Sequence, residues 1–456
     1  MAYDSTHPVY DSRLKQWQKC RDAYEGEDAI KAAGVKYLPR LKGQTDDDYV
    51  NYKMRAMFYS ITSKSVAAMV GMATMRDPKI SYPTAMEQHF KGVNPPQFSE
   101  VFSSILIEVL LQSRCGILID SPKSGGDPKP SIYRAEDIIN WRENEDSGEL
   151  EMVMLCESYT KIIDDYNSEP AIRFRELRMV DGQYIQIVHE SGADDVIYEP
   201  QVMGLPMTAI PFYMINPFGM GFTDYKPMML DIANINLSHY LSSADLEHGR
   251  HFTGLPTPVV IGADTSTDLY IGSTKFLIIP DKGGDAKYLE FTGQGLQSLE
   301  KAMSEKQSQL ASLSARLLDN STRGSESTDA VKLRYMSETA SLTTVIRSIS
   351  LALNTIYKRI ADILREDPDD VSIVLDTEFM DSSMTPAEMT ALFNGYLEGA
   401  ISVNTLVYNL RKGRRLDPDV EDSDEIKIIE ARLKELKELK ASKTVTSRKQ
   451  TTTEGE

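Results

Sequence analysis

Apolar residues at Leu342, Val345, Ile346, Ile349, Leu353, Ile356, Ile360 and Ile363 recur in steps of three and four. This spacing places them on one face of a helix. The run that holds them, Ser325 to Asp367, contains no glycine or proline over 43 residues. A helix from Ala330 to Arg365 is predicted, roughly 50 Å long at 1.5 Å rise per residue. That is about three times the length of an average globular helix. A second helical stretch runs from Leu296 to Leu318, and the polar segment Asn320-Ser321-Thr322-Arg323-Gly324-Ser325 separates the two. Two long helices joined by a short polar loop suggest a scaffold built for assembly rather than a catalytic pocket.

Further upstream, Tyr49 to Met75 reads as one helix, with Met54, Met57, Phe58, Ile61, Val66, Met69 and Val70 as its apolar positions and Pro78 beyond its end. Its methionines, with Met72 and Met75, suit a packed core or an adaptable subunit contact. Phe98 to Gln112 is a second helix, broken at Arg114-Cys115-Gly116 and followed by a short buried strand, Ile117 to Ile119. Ser121 to Pro130 is rich in proline and glycine and reads as a loop. Residues 1–60 are polar and tyrosine-rich.

From Leu150 to Pro211 the period changes to two. Met152–Cys156, Ile172–Val180, Tyr184–His189 and Val196–Tyr198 are strand candidates. Asp181-Gly182, directly after Val180, is the clearest hairpin signal in the chain. Met228 to His248 is a third long helix, with Gly249 as its stop. Between it and Leu296 lie three short strand candidates, Val259–Ile261, Phe276–Ile279 and Tyr288–Phe291. If the flanking helices run antiparallel, this small β lobe projects from their far end. Beyond Pro368, Val371 to Leu375 is a strand. Thr385-Pro386-Ala387-Glu388 is a helix start with Thr385 as N-cap. Ile426 to Leu439 is a charged helix, and residues 441–456 have the composition of a disordered tail.

The formal net charge is −18 and the pI about 4.9. An acidic chain does not grip DNA, because that affinity comes from basic groups that release counterions. Its one dense basic cluster before the tail, Arg411-Lys412-Gly413-Arg414-Arg415, could meet nucleic acid phosphate, but such a cluster is more often a helix C-terminus. The three cysteines form no CxxC, which fits a reducing compartment. The N-terminus has no apolar signal core, and the most apolar segment, Ile105 to Leu111, is too short to span a bilayer. These features predict a soluble, cytoplasmic protein.

Catalytic signatures are absent: no phosphate loop, no GxSxG elbow, no HExxH. Gly219-Met220-Gly221 lacks the third glycine and the preceding strand of a dinucleotide fingerprint. His239, Glu247, His248 and His251 form the best local cluster for a metal, but no second carboxylate sits at helical spacing to complete a site. Asp46-Asp47-Asp48 and Asp367-Pro368-Asp369-Asp370 read as solvated turns. No cofactor, no metal and no enzymatic activity are expected.

Several segments, taken in order, resemble the portal proteins of tailed bacteriophages, specifically a divergent portal family long labelled only as a domain of unknown function. Tyr37-Leu38-Pro39-Arg40-Leu41 followed by Tyr49–Met75 is similar to the wing helix. Glu247-His248-Gly249-Arg250-His251-Phe252-Thr253-Gly254-Leu255-Pro256-Thr257-Pro258-Val259-Val260 is similar to the end of the first stem helix entering the clip. Arg316-Leu317-Leu318 through Glu326-Ser327, then Ser337 to Leu342, resemble the tunnel loop and tunnel helix. Gly399 to Leu406 resembles the helical segment after the core.

The resemblance implies an α+β fold of portal type: a mixed α/β wing, long antiparallel stem helices, a small β-containing clip, a long tunnel helix and a helical crown. Its parts fall at 1–222 (wing), 223–252 (stem), 253–293 (clip), 294–318 (stem), 319–329 (tunnel loop), 330–366 (tunnel helix), 367–384 (returning wing strand), 385–440 (crown) and 441–456 (tail). It further implies a homo-oligomeric ring, twelve-fold in virions, that sits at one capsid vertex and is assembled in the host cytoplasm. Double-stranded DNA passes non-specifically through such a ring during packaging and ejection. The other implied partners are the terminase large subunit, the head-to-tail adaptor and the major capsid and scaffolding proteins, with no membrane.

On this basis Asn320, Ser321, Thr322, Arg323, Gly324, Ser325 and Glu326 would line the DNA channel. Asp264, Asp268, Lys275, Asp281 and Lys282 would dock terminase or adaptor. Ile346, Ile349, Leu353 and Ile356 would pack against neighbouring subunits. The rival readings are another virion structural protein, such as an adaptor or scaffold, and a metal-dependent hydrolase using the histidines. Adaptors are usually much shorter, scaffolds lack a β-rich region like 150–290, and a hydrolase would bind metal.

Overall fold

The stretch before Tyr49, where the sequence pattern assigns no element, is largely helical. Helix α1 (Pro8–Glu25) opens with proline at its first position, and the His7 ring accepts a hydrogen bond from the Val9 N–H. Its apolar face is sparse but large: Tyr10, Trp17, Cys20 and Ala23 are buried. Gly26, at φ 98°, turns the chain into α2 (Glu27–Ala33). The computed structural model describes residues 3–91, 97–120, 127–202, 205–253, 257–261, 283, 285–289, 294–318, 328–377, 386–413, 415–416, 420–432 and 434. They fall into two compact units, 1–377 and 378–456.

The single helix expected over Tyr49–Met75 is two. Helix α3 (Asp46–Arg55) begins in a Thr45–Asp48 capping box, so the Asp46-Asp47-Asp48 run lies in a helix's first turn, where the dipole favours it. Ala56 turns extended, and α4 (Ile61–Ala73) starts afresh. Polar side chains from a later helix hold the break, as described below. Strand β1 (Lys79–Ser81), α5 (Glu87–Lys91) and α6 (Phe98–Gln112) follow. Ser113, in the left-handed region at φ 61°, ends α6. Its hydroxyl donates to the Lys226 carbonyl and accepts from the Met228 N–H.

Strand β2 (Cys115–Asp120) contains Gly116, where a Cβ would lie 2.4 Å from the Phe212 ring and 2.7 Å from Ile138. Only glycine lets those two side chains close over the sheet. Strands β3 (Lys129–Arg134) and β4 (Ile138–Glu143) were not foreseen. Then come β5 (Leu150–Ile162), β6 (Ser168–Val180), β7 (Gln183–Glu190) and β8 (Val196–Tyr198). Together β4 to β8 form a five-stranded antiparallel meander in chain order. Asp181 (φ 50°) and Gly182 (φ 78°) supply the β6–β7 turn that the sequence announces.

Short strands β9 (Gln201–Val202) and β10 (Leu205–Pro206) pair with each other. A second sheet, in the order β12-β11-β2-β3, uses β11 (Phe212–Asn216) and β12 (Gly219–Met220). A core of Trp17, Leu118, Ile138, Trp141, Leu155, Tyr184 and Phe212 joins α1 to both sheets. Arg114 is buried in this region, with its guanidinium 4.5 Å from the Trp141 ring and 5.5 Å from the Trp17 ring. Burial lowers its pKa to about 10, partly countered by Asp224.

The long helices are α7 (Leu230–Thr253), α8 (Gln294–Leu318) and α9 (Thr328–Leu364), with β13 (Thr257–Ile261) pairing β14 (Asp285–Leu289) between the first two. Gly249 does not stop α7. It lies inside the helix, and a Cβ there would come 2.5 Å from Leu296 of α8. After α9 and a tight turn at 368–370, β15 (Ser372–Val374) pairs antiparallel with β1. The second unit contains α10 (Pro386–Leu397) and α11 (Val403–Lys412), the latter capped by the Ser402 hydroxyl, which accepts from the Thr405 N–H. The expected strand at Phe276–Ile279 and the N-cap Thr385 lie outside the described residues. The chain is thus a mixed helix-and-sheet, α+β protein.

Candidate functional site

Helices α7 and α8 run antiparallel, because their contacts reverse in number. Arg250 pairs with Glu300 at 2.8 Å, while Lys306 donates to the Ser238 carbonyl and the Ser242 hydroxyl. Gln307 meets the His239 ring at 3.2 Å. The β13–β14 ladder joins the end of α7 to the start of α8.

The other side of α7 reads the break between α3 and α4. Ser243 accepts from the Met57 N–H at 2.9 Å, and Asn236 donates to the Tyr59 carbonyl at 2.9 Å. The Asn236 carbonyl oxygen takes the Thr62 hydroxyl and N–H. Asn236, Ser243 and Thr62 are buried. A helix interrupted inside a protein leaves backbone groups without partners, and here α7 supplies them. Periodicity cannot reveal this, since Tyr49–Met75 keeps its apolar spacing through the break. The methionines divide accordingly: Met69 is buried, whereas Met54, Met57 and Met75 are exposed.

Helix α9 has the apolar face its spacing predicts, but the covering of that face differs from expectation. Ile346, Ile349, Leu353 and Ile356, expected at a contact between subunits, are fully buried within the single chain. They belong to the chain's own interior because α9 lies against α6, β11 and β15. The Tyr357 ring lies tilted against Phe90 and Phe98, at 4.9 and 5.7 Å between ring centroids. Ser348 donates to the Asn216 and Gly219 carbonyls, and Asn354 binds the Ile373 backbone. On the flank of α9 beside β15, Arg347, Leu351, Val374 and Thr377 line a groove of about 410 Å³.

The expected channel residues Asn320, Ser321, Thr322, Arg323, Gly324, Ser325 and Glu326 lie outside the described residues. So do Asp264, Asp268, Lys275, Asp281 and Lys282 of the expected clip. The basic cluster ends α11, with Gly413 at its C-cap, and Arg411 binds Asp422 and the Val420 carbonyl.

The histidines are tied to different places. His239 is buried beside Gln307, and its pKa is lowered by burial and by Lys306. His248 lies edge-on to the Tyr52 ring at 5.1 Å. Among the described residues no group of three His, Cys, Asp or Glu side chains could hold a metal ion. None of their helices is long and apolar enough to cross a membrane.

One carboxyl stands out. Asp137 is largely buried, and desolvation raises its pKa from 3.8 to about 6, against a hydrogen bond from the Arg134 N–H. Because the folded value lies above the unfolded one, the contribution of protonated Asp137 is complete below pH 3.8. It is lost as pH rises through 6. Asp137→Asn should therefore unfold later than the parent at pH 7.5, by about 1–3 kcal/mol, and show no gain at pH 4. Urea midpoints at the two pH values check this, and an equal effect at both would refute it.

Compared with known families, residues 228–362 match a domain of unknown function, DUF4055, which covers α7, the β13–β14 ladder, α8 and most of α9. No curated protein matches the chain. Among solved structures, a chain from the neck of an empty gene transfer agent particle is 14% identical, covering 82% of this chain and 93% of that one at a TM-score of 0.39. A chain from the virion of the native particle is 12% identical, covering 83% and 94% at 0.39. One from the native neck, computed with C12 symmetry, is 13% identical, covering 84% and 98% at 0.40.

Proposed function

We propose that this chain is a virion head-to-tail structural protein, and specifically a portal subunit: one member of a closed ring through which double-stranded DNA enters and leaves a capsid. The observation that carries this reading is one arrangement. An antiparallel helix pair has a two-stranded ladder strung between its ends and is followed directly by the 37-residue α9. That is the order in which the resemblance puts stem, clip, stem and tunnel helix. The DUF4055 match falls on the same segments. The role is structural rather than enzymatic.

The net charge of −18 fits a conduit that must not hold its cargo. In this reading Asn320 to Glu326 face the channel, with Arg323 as the loop's only positive charge, and residues 253–293 dock terminase and then the adaptor. Native mass measurement followed by electron cryo-microscopy of the purified full chain tests the proposal. The expected result is a ring of about a dozen copies with residues 320–326 at its hole. A ring whose hole is lined by other segments, or a protein that stays monomeric at every concentration and with capsid protein present, would overturn it.

A further inference from the structure

The β5–β6 hairpin outruns its sheet. Strand β4 covers β5 only from Leu150 to Leu155, and β7 covers β6 only from Arg173 to Val180. From the pair Ser158–Ile172 to the pair Ile162–Ser168, the ladder stands as two strands alone. Its tip is organised: Asp164 accepts the Tyr166 and Asn167 N–H groups, and the Ile163 N–H donates to the Asn167 carbonyl. Yet Tyr166 is 96% exposed and Ile162 78%, with Ile163 and Ile172 also exposed. A two-stranded hairpin alone in water is marginal, and among the described residues nothing covers the apolar side chains of this one. Asp164, Asp165 and Glu169 surround them, against the single Lys161.

A second surface has the opposite character. Where α3 gives way to α4, Val50, Met54, Met57 and Tyr59 are exposed. Basic residues border them: Lys64 lies 5.2 Å over the Tyr59 ring and Lys53 precedes Met54, while Lys31, paired with Glu27 at 2.6 Å, donates to the Met54 carbonyl. Methionine and tyrosine are the residues that adapt to and dominate contact surfaces.

We propose that the hairpin tip of one copy of this chain docks on the methionine patch of the next copy. The two patches match in kind, apolar centre to apolar centre and acidic rim to lysine rim. Complementary charge of this sort fixes register and suppresses wrong partners. The proposal rests on the ring reading, because two different patches joined head to tail make the contact type that closes into rings. The tip is one clasp within a larger interface.

The test uses the full chain in a Cys156→Ser background, where the remaining cysteines, Cys20 and Cys115, are buried. Met57→Cys and Tyr166→Cys are made singly and together. Under mild oxidation the two single variants, mixed, should give disulfide-linked dimers, and the double variant should give a covalent ladder. Neither single variant alone should link. In parallel, Ile162→Glu, on the solvent side of the arm, should raise the concentration needed for assembly about tenfold or more, a change of about 1.4 kcal/mol. Assembled particles that do not cross-link would overturn the docking and leave the ring reading standing. A chain that is monomeric by native mass at every concentration would overturn both.

Discussion

Ile349→Asp is expected to yield no folded protein, whereas Leu351→Asp, two positions along the same helix, should yield a normal soluble chain. Ile349 is fully buried and Leu351 is 57% exposed. Truncating a buried isoleucine already costs about 2–5 kcal/mol, and a carboxylate placed there without a partner adds several more. A chain whose whole stability is of the order of 5–15 kcal/mol does not survive that sum. The contrast also locates the covering of α9. If a neighbouring subunit covered Ile349, the variant would fold and fail only to assemble. Soluble yield, far-ultraviolet circular dichroism and native mass on both variants check this, and a folded, unassembled Ile349→Asp would restore the subunit-packing role for this face.

Arg21→Met is expected to lower stability by about 3–5 kcal/mol. Arg21 on α1 forks onto both oxygens of Glu108 on α6, at 3.0 and 2.5 Å, and also reaches Glu136 at 3.2 and 3.3 Å. Arg21 and Glu108 have side chains only 12% and 10% exposed. Gln112 donates to Glu136 and accepts from the Ala135 N–H, so the cluster ties α1, α6 and the 135–137 turn together. Removing the guanidinium leaves two carboxylates facing each other in a dry setting. Adding Glu108→Gln should recover part of the loss, because it removes one uncompensated charge. Arg21→Lys should fall between, since a single ammonium cannot fork onto both groups. Urea midpoints of the four proteins decide it. No recovery in the double variant would mean that lost packing of the Arg21 stem, rather than stranded charge, causes the loss.

Sequence periodicity reads what one face of one element settles. It gives α9, α7 and α8 because their apolar positions recur over many turns, and β6–β7 because Asp-Gly admits few other turns. It fails where the deciding partner is distant. Helix α1 is held by a few bulky side chains, Tyr10 and Trp17 among them, whose pocket exists only once both sheets are formed. The break at 56–60 depends on Ser243 and Asn236, nearly two hundred residues away. Strands β3 and β4 are short, and β3 begins inside a proline-rich stretch, so they look like loop until β2 and β5 offer edges. Gly249 resembles a stop because glycine often follows a helix, yet here it makes room for Leu296. The apolar face of α9 is legible, but which surface covers it is not, since periodicity cannot separate a chain's own elements from another copy's. The expected channel and clip residues come from the ordered resemblance of segments, not from any local motif.

The Ser243 and Asn236 bonds to the interrupted helix give α7 a mechanical character. From Ser243 to Thr253 the helix extends about 15 Å toward the β13–β14 ladder. A push on that end cannot turn α7 against α3 and α4 without breaking hydrogen bonds that have no water to replace them. A load applied at the ladder would therefore act on a lever whose fulcrum is the 56–60 break.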